Sequence, residues 1–175
     1  MERIYLLDTE DLTQYGFIHA NVEESILINV IWRVQHLELQ PAIGSPLYRK
    51  LLTLTDTGLT TGVYYDLMAQ YVVPYLIAAV EYKATYHTST EIQNKGTGNN
   101  KDEYMSTGDL AQLNTLRSQL SKDANELKNL LIRFLQDDCN SETPNYPEYK
   151  ERTGNRVDYT PEQTGPDYEN EISII

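Results

Sequence analysis

The residues with chemical potential are few. Asp56-Thr57-Gly58 is the tripeptide that carries the catalytic carboxylate in aspartic proteases, where two such loops meet and their acids share one proton. Leu52-Thr53-Leu54-Thr55 alternates ahead of it as a strand would. That chemistry needs an all-β frame, however, and the tripeptide stands between two helical patterns. His19, His36 and His87 are scattered, with no H-E-x-x-H and no Glu-x-x-His pair of the kind that builds metal sites in helix bundles. Gly96-Thr97-Gly98 lacks the preceding strand that a phosphate cradle requires, so it reads as a turn. Asp137-Asp138 follows a helical stripe and opposes its dipole, so either the helix has ended there or a partner compensates. The single Cys139 can form no internal disulfide and no thiol cluster for zinc. No catalytic, cofactor or metal constellation emerges, and no enzyme is expected.

The stretch Tyr64–His87 is the one around which the chain is organised. From Leu67 to Val80 it reads LMAQYVVPYLIAAV without a charge. That run is shorter than the roughly 20 apolar residues of a bilayer span, and Gln70 and Pro74 interrupt it. A buried helix with two apolar stripes is expected instead. One stripe runs through Tyr64, Met68, Tyr71, Tyr75, Ala79, Tyr82 and Tyr86, the other through Leu67, Val72, Leu76 and Val80. Pro74 should kink the helix or sit in the first turn of a restarted one.

Upstream, Thr9 to Tyr15 reads as a short helix capped by Thr9 and closed by Gly16. Asn21 and Glu24 are spaced as a capping box, and Val22, Ile26, Val30, Val34 and Leu37 form the stripe of a helix ending before Pro41. Ser45-Pro46 starts a third helix, Leu47 to Leu54, and Thr55 to Gly62 is a loop by composition. Downstream, EIQNKGTGNNKDEYMSTGD is a long loop or hairpin-like insertion. Ser106 and Asp109 then cap a helix whose stripe is Leu110, Leu113, Leu116, Leu120, Ala124, Leu127, Leu131 and Phe134. Its steps average close to the 3.5 of a helix packed lengthwise on another. The fold class is all-α, a bundle of about four to five helices over residues 1–139.

Residues 140–175 differ in composition. Pro144, Pro147, Pro161 and Pro166 forbid a continuous element, and acids outnumber bases by eight to three. Tyr146, Pro147, Tyr149, Tyr159 and Tyr168, with Ile172, Ile174 and Ile175 at the end, are the candidate anchors of an extended arm that docks on a partner. The whole 175-residue chain carries a net charge of −12 and fourteen tyrosines against two phenylalanines and one tryptophan. Dispersed, outnumbered Lys and Arg argue against gripping duplex DNA. Tyrosines suit surfaces that are dry at one end and wet at the other. MERIYLLDTEDL is not a secretory leader, so a non-secreted product is expected.

The order of motifs resembles a known family. An amphipathic helix, LQPAIGSPLYRKLL, a loop, YVVPYLIAAVEYKATY leading into EIQNKGT, a leucine-striped helix and YPEY are similar to the helical head–tail connector proteins of tailed bacteriophages. The similarity looks closest to adaptor or ring proteins of phages, including crAss-like ones, of Bacteroidales hosts, and covers most of residues 21–150. The most telling piece is the joint Ile43-Gly44-Ser45-Pro46-Leu47-Tyr48. The resemblance implies a structural virion protein forming a ring, generally twelvefold, between portal and tail, with genome DNA passing through its channel. Its partners would be further copies of itself, the portal protein and neighbouring tail or ring proteins, with no cofactor and no membrane. An acidic lumen would let duplex slide without sticking. A stopper or tail-completion protein, or a cytoplasmic helical scaffolding domain, are the alternatives.

Overall fold

The computed structural model describes residues 3–16, 23–94 and 107–149, with side-chain positions for all of these except 86–94 and 107–113. Five helices and no strand are found among the described residues. They are α1 (Thr9–Tyr15), α2 (24–43), α3 (Ser45–Asp56), α4 (63–94) and α5 (Thr107–Cys139). Asn21, Val22, His19, residues 95–106 and everything beyond Tyr149 lie outside the described residues, and so do the sequence expectations that fall on them, except that α2 begins at Glu24 with Glu23, not Asn21, in the N-cap position.

The longest pairing is α4 against α5, and α4 packs on α2 with another face. The two stripes of α4 explain this double coverage. Leu67, Val72, Leu76 and Val80 are all at most 1% exposed, and Met68, Tyr75 and Ala79 from the other stripe are also buried. The helical run Val63–Thr85, longer than the uncharged run Leu67–Val80, is long and apolar enough by length and composition alone to cross a membrane. Its core-facing side chains are nonetheless those that the neighbouring helices cover. On α5, Ala124, Leu131 and Leu135 are buried, whereas Leu116 is 47% exposed. The stripe is therefore fully used only in the C-terminal half of that helix.

Neither Pro41 nor Pro74 ends a helix. In both α2 and α4 a π turn precedes the proline, Gln35–Leu39 in one and Met68–Val72 in the other. The backbone N–H of Gln40 donates to the carbonyl of Gln35, and that of Val73 to Met68, each five residues back. A wider turn makes room for the proline ring against the carbonyl four residues behind it. The helix thus runs on to Ile43, where Gly44 at φ 87° turns the chain into α3. A side chain at that angle would be strained, so the joint needs glycine.

The caps also differ in detail from expectation. Asp8, not Thr9, caps α1, its carboxylate accepting from the Glu10 N–H at 3.3 Å. Gly44 precedes α3, while the Ser45 side chain accepts a hydrogen bond from Gln40 instead of capping. Buried Gln35 fastens the N-terminal segment, accepting from the Leu6 N–H at 3.1 Å and donating to the Ile4 carbonyl at 3.0 Å. Leu6 and Leu7 enter the core as a result. Between α2 and α4, Lys83 pairs with Glu38 at 2.9 Å, and the Tyr75 hydroxyl reaches the same carboxylate.

Candidate functional site: a tyrosine strap and an open cavity

Asp56-Thr57-Gly58 closes α3. The Leu59 N–H donates to the Leu54 carbonyl and the Gly58 N–H to that of Thr55, both at 3.1 Å, with Gly58 at φ 80°. This is the paired hydrogen bonding of a glycine-terminated helix. The tripeptide owes its glycine to helix ending, and residues 52–55 are helical, not a strand. His36 stacks on Trp32 at 4.5 Å and meets the edge of Tyr48 at 5.5 Å. No group of three or more His, Cys, Asp or Glu that could hold a metal is found among the described residues.

Asp138 has a distinct role. Its carboxylate accepts from the Asn145 backbone N–H at 3.0 Å, the Asn145 side-chain amide at 2.9 Å and the Tyr146 N–H at 3.0 Å. An acid at a helix C-terminus is disfavoured by the dipole, and here three donors from the returning chain offset that cost. The chain is turned back, and Tyr146 drops into the core at 3% exposure. Its ring meets the edge of Tyr64 at 5.5 Å and leans on Phe134 at 5.8 Å, while Phe134 stacks on Tyr71 at 4.2 Å. The Tyr146 hydroxyl donates to the Val63 carbonyl at 2.9 Å, and Tyr64 donates to Glu148 at 2.7 Å. Burial, then the Glu148 hydrogen bond and charge, push the Tyr64 phenol up to about 12. Burial first, and the Asp138 charge next, raise Tyr146 as well. Both phenols therefore stay protonated and remain donors.

Residues 140–149 form a strap across the start of α4 and the end of α5. Tyr146 and Tyr149 were expected to anchor on a partner, yet the structure seats both in the chain's own core. The folded body accordingly continues past Cys139 to Tyr149. The physical reason is the Asp138 turn, which aims Tyr146 at an aromatic surface that Tyr64, Tyr71 and Phe134 already form. Pro147 between them is exposed. Tyr159, Tyr168, Ile172, Ile174 and Ile175 lie outside the described residues.

A second feature was not foreseen. A cavity of about 810 Å³ opens between α1, the loop after α3, α4 and the half-used stretch of α5. Its walls are apolar, with Leu59, Met68, Ile77, Leu120 and Leu127 among them, and Tyr15 and Tyr65 stand exposed at its edge. Asp11, Glu81 and Asp123 also line it, and no Lys, Arg or His among the described residues does. Gly16 lets α1 come close, because a Cβ there would lie 2.5 Å from the Leu12 carbonyl and 2.6 Å from the Glu81 carboxylate. The sequence signal was Leu120 and Leu127, two positions of the α5 stripe that line the cavity.

Fold and site together define a small all-helical bundle, braced by a tyrosine strap and left open along one apolar, acidic groove. The chain belongs to a family of unknown function, DUF6712, whose model matches residues 39–159, from the end of α2 through the strap and on to Tyr159. No curated protein and no solved structure matches it.

Proposed function

We propose that this chain is a subunit of an oligomeric ring in the virion of a tailed bacteriophage, a head–tail connector or adaptor seated between portal and tail. The observation that carries this reading is the apolar surface left open by an otherwise well-packed bundle. Leu120 and Leu127 of the α5 stripe line a groove together with Tyr15 and Tyr65, which are 65% and 43% exposed, and Leu116 one turn before Leu120 is 47% exposed. Exposed apolar patches of this kind mark contact surfaces. The helix–glycine–helix joint at Ile43-Gly44-Ser45-Pro46 and the all-helical fold agree with the connector resemblance. A net charge of −12 suits a channel through which duplex passes without adhering.

In this role the chain does no bond-making chemistry. It contributes shape, subunit contacts and a repulsive wall, and genome DNA is cargo rather than ligand. The test is electron microscopy of the full chain, alone and co-expressed with a portal protein from the same genome. Closed rings with a central channel are expected, together with no retardation of a random duplex at physiological salt. A chain that forms no ring alone and none on the portal overturns the proposal, as does duplex binding that weakens steeply with salt.

A further inference from the structure

The groove has a counterpart elsewhere on the same chain. Leu37 is 62% exposed, although its neighbours Val34 and Leu39 are fully buried. The π turn Gln35–Leu39 causes this, because a five-residue step hands the core position from Val34 to Leu39 and leaves Leu37 in solvent. Arg33 stands one turn earlier and is exposed, and on the same helix Trp32 holds the Arg3 guanidinium 5.0 Å over its ring while stacking on His36. No ion pair of Arg3 or Arg33 is found among the described residues, and the nearby Glu38 is engaged by Lys83. The exposed side of α2 thus presents Leu37 with Arg33 one turn before it, and the N-terminal segment adds Arg3 over Trp32. None of these residues lines the cavity, which is apolar with Asp11 and Asp123 beside its wall.

We propose that the Leu37 knob of one copy docks in the cavity of the next, with Arg33 and Arg3 facing Asp11 and Asp123. The occupant is a second copy of this chain because charge and polarity match in both directions. The knob offers an exposed leucine with positive charge from Arg33 and Arg3; the cavity offers an apolar floor with negative charge. Two different patches on one chain make a head-to-tail contact, which propagates into a ring when the rotation closes. The proposal rests on the ring reading in taking the partner to be another copy. A cavity of about 810 Å³ has room for a leucine side chain and the stem of an arginine.

A head-to-tail contact makes a prediction that a symmetric one does not. Leu37→Asp removes the knob, and Ala69→Trp, at an exposed position of the cavity wall, obstructs the cavity. In sedimentation of the full chain, each variant alone should lose assembly at least tenfold. An equimolar mixture should stop at a dimer of the 20.1 kDa chain, because one working knob and one working cavity make a single contact that cannot propagate. The exposed charge swap supplies a second arm should Ala69→Trp perturb folding, as judged by its melt. Arg33→Asp and Asp123→Arg should each weaken assembly, and together restore it. Single variants that assemble like the parent, or a mixture that stays monomeric beside a failed charge rescue, overturn the knob-and-cavity contact. If the parent still forms rings in that case, the ring reading stands and only this contact falls. A parent that never assembles, alone or on the portal, removes both.

Discussion

Replacing Tyr146 by alanine tests whether the strap belongs to the folded body. The side chain is 3% exposed and fills the space between the Tyr64 edge and Phe134. Truncating a buried aromatic ring to alanine costs about 3–5 kcal/mol, from lost transfer energy and the cavity left behind. Its hydroxyl adds a hydrogen bond to the Val63 carbonyl, worth about 0.5–1.5 kcal/mol by itself. Tyr146→Phe should therefore lose only that smaller amount. For a chain of this size about 1 kcal/mol moves Tm by about 2–4 °C, so Tyr146→Ala should melt roughly 6–20 °C below the parent and Tyr146→Phe only a few degrees below. The assay is thermal and denaturant unfolding followed by circular dichroism. By the same reasoning, truncation after Cys139 uncovers Tyr64 and Phe134 and should lower Tm markedly. A Tyr146→Ala variant that melts with the parent would show that residues 140–149 are not part of the core and that the strap contributes nothing to it.

Three further outcomes follow from the packing. Leu135→Ala, at 0% exposure, should cost about 2–5 kcal/mol, whereas Leu120→Ala, on the open cavity wall, should cost about 1 kcal/mol or less; equal melting shifts would contradict the half-used stripe of α5. Gly16→Ala forces a Cβ against the Leu12 carbonyl and the Glu81 carboxylate, and should destabilise by about 1–3 kcal/mol in denaturant unfolding, with parent-like stability refuting the close approach. At high pH, Tyr64 is raised from 10.0 to about 12 in the fold, and burial raises Tyr48, Tyr75 and Tyr146 in the same direction. A raised folded value means the unfolded chain releases its protons first, so this stabilisation is complete below pH about 10 and is lost as pH rises toward the folded values. Unfolding free energy should fall through that window, and less steeply in Tyr64→Phe; a flat profile would argue against buried, donating phenols.

The fold was legible in its helices because apolar spacing is a direct record of which faces are covered. The α4 stripes were read correctly as far as Ala79 and Val80, and so was their pairing with α5. The strap was not legible, because nothing in the composition of residues 140–149 distinguishes a segment that docks on its own chain from one that docks on another. Tyrosine serves both purposes. The decisive residue was Asp138, whose position at a helix end looked like an electrostatic fault. Three N–H donors arrive from Asn145 and Tyr146, and only the folded geometry brings them there. The cavity was half legible, in that Leu120 and Leu127 belong to the apolar stripe of α5, but its acids come from α1, α4 and α5 and converge only in space.

The two π turns show what kind of signal was present and unread. Val34, Leu39 and Ile43 are buried at steps of five and four, and Leu67, Val72 and Leu76 repeat the same steps. In each case a proline stands two residues after the five-residue step, Pro41 after Leu39 and Pro74 after Val72. A strict period of 3.6 assigns Leu37 to the core and ends the helix before Pro41. The five-residue step allows the helix to continue through the proline, and it expels the residue in between. In α2 that residue is Leu37. In α4 the corresponding stretch holds Ala69 and Gln70, both exposed, and Ala69 lines the cavity. The same backbone irregularity therefore builds the proposed knob on one helix and part of the wall that would receive it on the other. That coincidence also fixes how the two sites should respond together: a substitution that straightens either π turn should move Leu37 inward or Ala69 out of the wall, and weaken subunit association without touching either arginine or either aspartate.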